Sequence, residues 1–207
     1  MSASSIVDAA RLRRAVRALG NPPGERGWNA DELADLFDLS PCHREAAVLV
    51  PFVQRRDGLS LLFTQRSEQL RQHAGQVSFP GGAVDASDAG VIEAALRETH
   101  EEIGITAAAV EPFGYLDRLD TVSGYSVTPV AAFVRGDYDL RLEAAEVEDA
   151  FEVPLEFILA PTTLRREMIH WRGRDRTIYA FDWQGRRIWG VTAAMLKNLI
   201  DRLEQAP

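Results

Sequence analysis

Glu98, Glu101 and Glu102 recur at i, i+3 and i+4 within Arg97-Glu98-Thr99-His100-Glu101-Glu102-Ile103-Gly104, and this run constrains the chain more than any other. On a helix that spacing stacks the three carboxylates on one face, about one turn apart. Like charges so placed repel, and the helix loses stability unless something positive lies among them. A hard divalent cation such as Mg²⁺, which prefers oxygen ligands, supplies that charge. Arg97, four residues before Glu101, is within reach of a pair with it. Taken alone, an acidic helix face is more often a solvated surface, so the flanking residues must decide. Asp88 (or Ser87) is placed to cap the first turn, and Gly104 sits where a left-handed residue ends a helix. Ile92, Ala95, Leu96, Thr99 and Ile103 give the helix an apolar stripe. Upstream, Phe79-Pro80-Gly81-Gly82 interrupts a strand-like run with two glycines that permit close backbone approach.

This loop–helix–loop resembles the Nudix box, G-x5-E-x7-R-E-U-x-E-E-x-G-U with U aliphatic. Arg97, Glu98, Glu101, Glu102, Gly104 and Ile105 fall where that pattern wants them, with Thr99 at the first U. Counting from Gly82, Asp88 stands in place of the first Glu, and eight residues rather than seven separate it from Arg97. The extra residue is expected in the loop before the helix, because within the helix it would rotate the acidic face.

Residues 62–82, LFTQRSEQLRQHAGQVSFPGG, narrow the resemblance. They are similar to the signature of the coenzyme A pyrophosphatase branch of the Nudix hydrolases, L-L-T-x-R-[SA]-x3-R-x3-G-x3-F-P-G-G, with Phe63 replacing a leucine. The aspartate and longer spacing of the box also fit that branch. Arg66, Arg71 and His73 are the basic residues just before the glycine loop. Coenzyme A carries a pyrophosphate and a 3′-phosphate, and the planar fork of arginine suits phosphate oxygens. Ser123–Val130, Phe151–Leu155 and Ile188–Ala193 also resemble segments of the same branch, so the likeness covers roughly residues 45 to 200.

The resemblance implies an α+β fold, an α/β/α sandwich with a mixed β-sheet between helices. It implies a site in which Glu98, Glu101, Glu102 and Glu146 hold Mg²⁺ or Mn²⁺, with Glu98 also a candidate general base and Arg97 steadying the cluster. Arg66, Ser67, Arg71, His73, Gly81 and Gly82 are the expected substrate contacts. Glu146 lies in the acidic run Glu143–Asp149, where a solvated charge is an equal alternative. Cys42, the only cysteine, has no evident activating partner, so attack by water is expected rather than a covalent nucleophile. The expected reaction is hydrolysis of coenzyme A or its acyl or oxidised forms to 3′,5′-ADP and 4′-phosphopantetheine. Two alternatives stand beside it: a Nudix hydrolase for ADP-ribose or NADH, and a non-catalytic ligand-sensing module.

Composition sets outer limits. With 207 residues and 46% hydrophobic content the chain can bury a substantial core. A net charge of −8 leaves no basic stripe for a nucleic-acid backbone, so the expected partner is a small molecule. No apolar run is long enough to span a membrane. A lone cysteine indicates a reducing compartment, and the cytoplasm is the expected location. The sequence leaves the oligomeric state open, a homodimer included.

Residues 1–44 read as an N-terminal helical extension, with a helix from Asn29 to Phe37 capped by Asn29, packed on a domain spanning 45–207. Within the domain, strands are expected at Ala46–Val53, Ser60–Gln65, Val110–Leu116 and Val127–Val134, with Pro129 marking a bulge or an edge. Pro154–Ala160 reads as a short helix, Glu167–Arg172 and Thr177–Trp183 as a hairpin about Gly173. Val191–Leu203 reads as a closing helix with Val191, Met195, Leu199 and Leu203 inward. The aromatic rings of Tyr125, Trp171, Trp183 and Trp189 are able to stack on adenine, although packing is the commoner fate of each.

Overall fold

A computed structural model describes residues 7–34, 44–70 and 72–206. Its centre is β1 (Arg44–Arg55), whose alternating side chains face two layers. Ala47 and Leu49 pack under α3 (Val91–Ile103) with Ala94 and Ala95, while Ala46, Val50 and Phe52 face the opposite way. That second layer holds α1 (Ala9–Ala15) and α5 (Gly190–Gln205), through Leu12, Met195, Leu196 and Leu199.

The main sheet runs β3 (Val77–Ser78), β2 (Gly58–Arg66), β1, β7 (Tyr125–Val134), β5 (Val110–Tyr115), with β4 (Gly81–Ala83), β6 (Leu119–Asp120) and β8 (Val147–Pro154) paired to its members. The parallel pair β1–β7 makes the sheet mixed. A second, antiparallel sheet comprises β9 (Arg165–Trp171), β10 (Arg174–Trp183) and β11 (Arg186–Trp189), following the short α4 (Leu155–Leu159). This is the mixed-sheet sandwich the sequence implies. Among the described residues no helix is long and apolar enough to cross a membrane.

What positions the site is a split along one edge of β1. Its C-terminal half, Phe52–Arg55, pairs with β2, but its N-terminal half, Ala46–Val48, pairs with β4. β2 leaves β1 here and pairs instead with β3, while its opposite edge pairs along its length with β8. The glycine strand fits the gap because Gly81 has φ 153° and no side chain. A Cβ there would lie 2.3 Å from the Ala47 carbonyl oxygen.

The N-terminal segment is bound to this core. Arg17 pairs with Tyr115 on β5, each N–H donating to the other's carbonyl at 2.9 Å. β5 bulges between Pro112 and Gly114, and a Cβ on Gly114 would lie 2.4 Å from Val16 Cγ2. Asp117 accepts from Arg17 Nε at 2.8 Å, Asn198 Nδ2 at 3.0 Å and Arg202 Nη1 at 2.7 Å, which joins this segment to α5.

Several local expectations need correction. α2 is described over Ala30–Leu33 alone, since residues 35–43, with Phe37 and Cys42, lie outside the described residues. Asn29 stands at its N-cap as expected, but its side chain makes no cap: the amide donates to the Asp120 carbonyl and the oxygen accepts from Asp120 N. Pro129 lies on an interior strand, not an edge. The missing N–H is tolerated because Pro129 faces the break between β5 and β6. The strands β3, β4, β6, β8 and β11 are absent from the sequence reading.

Candidate active site

α3 starts later than its sequence suggests. Gly90 is the N-cap and makes no side-chain cap, whereas Gly104 ends the helix in the left-handed conformation at φ 77°. Asp88 is drawn away from the helix end by Arg97, which donates Nε to one of its oxygens at 3.0 Å and Nη2 to the other at 2.9 Å. This charge-assisted fork outcompetes a neutral cap. The Arg97 guanidinium, followed by the Asp85 N–H, holds the Asp88 carboxyl below its ordinary range. A loop over 84–90 precedes the helix, which runs without interruption from Val91 to Ile103.

Arg97 is the hub of the cluster. It also donates to Glu98 and to Glu101, each at 2.9 Å, and to the Ala83 carbonyl at 3.1 Å. One guanidinium thus ties the acidic helix to β4 and takes one oxygen from each of two glutamates.

The three glutamates differ sharply in surroundings. The Glu101 side chain is 57% exposed and Glu98 is 18% exposed, while Glu102 is buried at 3%. The buried face of α3 is therefore rotated from the expected stripe: Ala94 and Glu102 join Ala95, Thr99 and Ile103, and Ile92 and Leu96 are only partly buried. Small alanines let α3 approach β1 and β4, and that approach carries Glu102 inward. Burial pushes the Glu102 carboxyl up to about 8, against the opposing Arg66 charge and the Gly81 N–H, with Glu98 and Glu146 adding to the rise. Arg66 Nη1 stands 3.9 Å away and the Gly81 N–H donates at 3.3 Å. Burial also raises Glu98, opposed by Arg97 and reinforced by Glu101 and Glu146.

Glu146 is brought beside α3 by its own loop: Glu143 N donates to the Glu102 carbonyl at 2.9 Å, and Ser67 N to the Glu146 carbonyl at 2.9 Å. Gly82 faces the cluster from the other side, where a Cβ would lie 2.5 Å from the Glu98 carboxylate. Among the described residues no three acidic, histidine or cysteine side chains already close into a coordination sphere. The donor set nevertheless fits a hard divalent ion. The charges of Glu98 and Glu146 both bear on Glu102, and the buried Glu102 has one distant cation and one long hydrogen bond to offset its charge.

A cleft of about 350 Å³ opens beside the glycine loop. Arg66, His73, Gly81 and Gly82 line it, together with Gln72, Gln76, Ser123, Tyr125, Trp189 and Met195. Arg66 is placed by a register shift between β2 and β8, and its buried Nε has no hydrogen-bond partner. His73 is exposed, with φ 58° and Nδ1 2.9 Å from Gln76 Oε1. Ser67 is turned inward: it is 5% exposed, its Oγ accepts from Gln69 N at 3.3 Å, and it does not line the cleft. Arg71 lies outside the described residues. A larger hollow of about 740 Å³ runs along α3 past Ile92, Leu96 and His100, but it lacks both the glycine loop and Arg66.

Sequence reasoning did not single out Gln72, Gln76 and Ser123, which occupy variable positions of the 62–82 signature or the start of the 123–130 segment. Met195, expected to pack, does so at 3% exposure while also forming part of the cleft wall.

Comparison with known proteins agrees with this architecture. The model of the NUDIX domain matches residues 43–172. Uncharacterized Nudix hydrolase NudL of Shigella flexneri is 44% identical over 165 residues, 80% of this chain and 85% of that protein. The protein of the same name from Escherichia coli O1:K1 / APEC is 46% identical over 157 residues, 76% of this chain and 81% of the relative. The solved structure of the MutT protein from Methanosarcina mazei Go1 has a TM-score of 0.51 at 20% identity, covering 80% of this chain and 97% of that one, a likeness of fold alone. With the box folded as glycine strand, loop and acidic helix inside the matched span, the chain belongs to the Nudix family.

Proposed function

We propose that the chain is a Mg²⁺- or Mn²⁺-dependent pyrophosphatase that hydrolyses coenzyme A, or its acyl or oxidised forms, to 3′,5′-ADP and 4′-phosphopantetheine or its derivative. Membership of the Nudix hydrolases supports the coarser reading, hydrolysis of a pyrophosphate linkage. The observation that carries the proposal is the placement of Glu98 and Glu102 behind Gly81 and Gly82, with Arg66 extending from the carboxylates into the cleft.

Glu98, Glu102 and Glu146 would hold the ion, with Glu101 at the exposed edge. When bound, the ion offsets the charge of the diphosphate and lowers the pKa of a coordinated water. Arg97 keeps Glu98 oriented. Glu98 is the candidate to accept the proton of the attacking water, since burial raises its affinity for one. Arg66 and His73, on the wall of the cleft, are suited to the phosphates, Arg66 with a buried nitrogen still open to a hydrogen bond. Arg71 is proposed as a further phosphate contact on the sequence signature alone, and Ser67 as a support of the loop that carries them.

Product analysis by mass spectrometry after incubation with coenzyme A, ADP-ribose and NADH, each with Mg²⁺ or Mn²⁺, tests this reading. Preferential release of 3′,5′-ADP and phosphopantetheine supports it. Preferential cleavage of ADP-ribose or NADH would overturn the coenzyme A assignment while leaving the glutamate cluster in place. Absence of hydrolysis in all three favours the ligand-sensing alternative.

A further inference from the structure

Four tryptophans are present, and their surroundings separate them. Trp183 packs on Phe157 with ring centroids 4.7 Å apart. Trp171 has the guanidinium groups of Arg172 and Arg176 at 4.7 and 5.7 Å, out on the β9–β10 hairpin. Trp28 donates its backbone N–H to the Arg118 carbonyl in the N-terminal segment. Trp189 differs from all three, because it lines the cleft of the glycine loop while remaining 38% exposed.

Its position follows from strand alternation. Ile188 is fully buried, so the next side chain on β11 points the other way, together with Arg187's neighbour-but-one relation to it along the strand. The backbone is fixed by pairing of Trp189 with Ala180 and by the turn at Gly190, φ 63°, into α5. Thr192 Oγ1 then donates to the Val77 carbonyl at 3.0 Å, which fastens the start of α5 to the strand just before the glycine loop. The ring is thus mounted on rigid backbone within the same cleft as Gly81 and Gly82.

Trp189 also borders a second groove of about 590 Å³ beyond the cleft. Gln65, Gln76 and Gln184 line that groove together with Glu68 and Arg186, and Arg187 places its guanidinium 5.7 Å from the indole centroid. A half-exposed indole alone is an ordinary surface feature. One that lines two hollows, which also share Gln76 and Val77, with a cation near the ring and glutamines along the second hollow, matches the needs of a nucleotide base. A base has a flat π face for the ring and donor and acceptor edges for amides.

We infer that Trp189, with Arg187, forms a stacking platform for the base of the substrate, so that the diphosphate lies towards the glycine loop and the base towards the groove. This rests on the reading of the chain as a hydrolase for a nucleoside diphosphate derivative, and it assigns the end of the substrate that reading leaves unplaced. Trp189 is a binding residue here, and takes no part in the bond cleavage.

The test compares Trp189→Ala and Trp189→Phe with the wild-type chain. Steady-state rates are measured on coenzyme A and ADP-ribose, and binding of 3′,5′-ADP and 4′-phosphopantetheine is measured by calorimetry. Loss of stacking in Trp189→Ala should raise KM, and weaken 3′,5′-ADP, by about 10-fold or more, the scale of one base on one aromatic ring. kcat should change little, Trp189→Phe should recover most of the loss, and phosphopantetheine binding should be unchanged. An unaltered KM and 3′,5′-ADP affinity in Trp189→Ala would overturn the platform. So would a loss that falls on phosphopantetheine instead. If the wild type cleaves ADP-ribose and not coenzyme A, the coenzyme A reading fails, and KM for ADP-ribose still decides the platform. If the wild type cleaves neither, the affinities for ADP-ribose and 3′,5′-ADP decide it.

Discussion

The two ends of the cleft are built on opposite principles. At the glycine end, charged groups are crowded into a partly dry space and held apart by one arginine: Arg97 reaches Asp88, Glu98 and Glu101 at 2.9–3.0 Å, and Glu102 stays buried with little compensation. At the Trp189 end, the indole stands on a small antiparallel sheet that leads into α5, Gln65 and Gln76 line the groove from β2 and the loop before β3, and the flanking Arg186 and Arg187 are paired with Asp149 and Glu167. The first end is costly without a ligand and gains from one. The second is stable as it stands and can afford to discriminate. Electrostatic tension concentrates where chemistry is proposed, and rigidity where recognition is proposed.

The sharpest way to break this contrast is Glu102→Gln. We expect hydrolysis to fall by at least about 100-fold, as for loss of a group that holds an active ion. The same change should raise the metal-free thermal midpoint, by about 2–4 °C for each kcal/mol recovered. The sign follows from linkage. Burial lifts Glu102 from 4.5 to about 8, so its contribution to stability is intact below pH 4.5 and is lost as pH rises through 8. Thermal scans of the metal-free protein should therefore show the wild type falling behind Glu102→Gln across that window. Added Mn²⁺ should restore the wild type only. Equal midpoints at pH 5 and pH 8 would contradict the strained-carboxylate account.

The paired glycines divide the acidic end further. Gly82→Ala pushes a methyl group against the Glu98 carboxylate, and displacement of that group should cost roughly 10- to 100-fold in kcat with the fold retained. Gly81→Ala meets backbone instead, at φ 153° and 2.3 Å from the Ala47 oxygen. It should lower stability by about 1–3 kcal/mol, measured by urea unfolding.

Asp117 tests the join between the N-terminal segment and α5, the helix that follows Trp189. Burial alone would raise its pKa, but hydrogen bonds from Asn198, Arg17 and Arg202 outweigh burial and hold it below the ordinary range. Its contribution is present at neutral pH and is lost as pH falls through the depressed folded value. Asp117→Asn should cost about 1–3 kcal/mol at pH 7, with the gap from wild type closing below about pH 4. The smallest effect is expected from Ser67→Ala, about 0.5–1.5 kcal/mol in stability. KM should be unaltered, because the hydroxyl faces Gln69 N and not the cleft.

Much of this was legible in the sequence where the signal is local. The box spacing located α3, Gly104 its end, and alternating apolar runs the strands β1, β2, β5 and β7. β8 escaped because Val147–Pro154 begins in an acidic run and is half-exposed, so it carries no clean alternation. β11 escaped because four residues starting with two arginines resemble a turn. Within the site, the order of burial among Glu98, Glu101 and Glu102 depends on how closely α3 approaches β1 and β4, which identical letters cannot convey. The misplaced cap has the same origin: Asp88 has good capping chemistry, but a guanidinium nine residues away offered it two stronger bonds. Pro129 was read from a rule about single strands, whereas its tolerance depends on a gap in a neighbouring one.

The short pairing of Arg17 with Tyr115 has a consequence for how the domain is handled. β5 is the last strand of the main sheet on its side, and the unpaired rim of such a strand is a template for association with other chains. Val16 and Arg17 sit over that rim at the bulge, while Leu12 and Ala15 seal the apolar surface beneath. The family match begins at residue 43, so a fragment cut to that limit would keep the box and discard its guard. Such a fragment should precipitate or self-associate at concentrations where the longer chain remains dispersed.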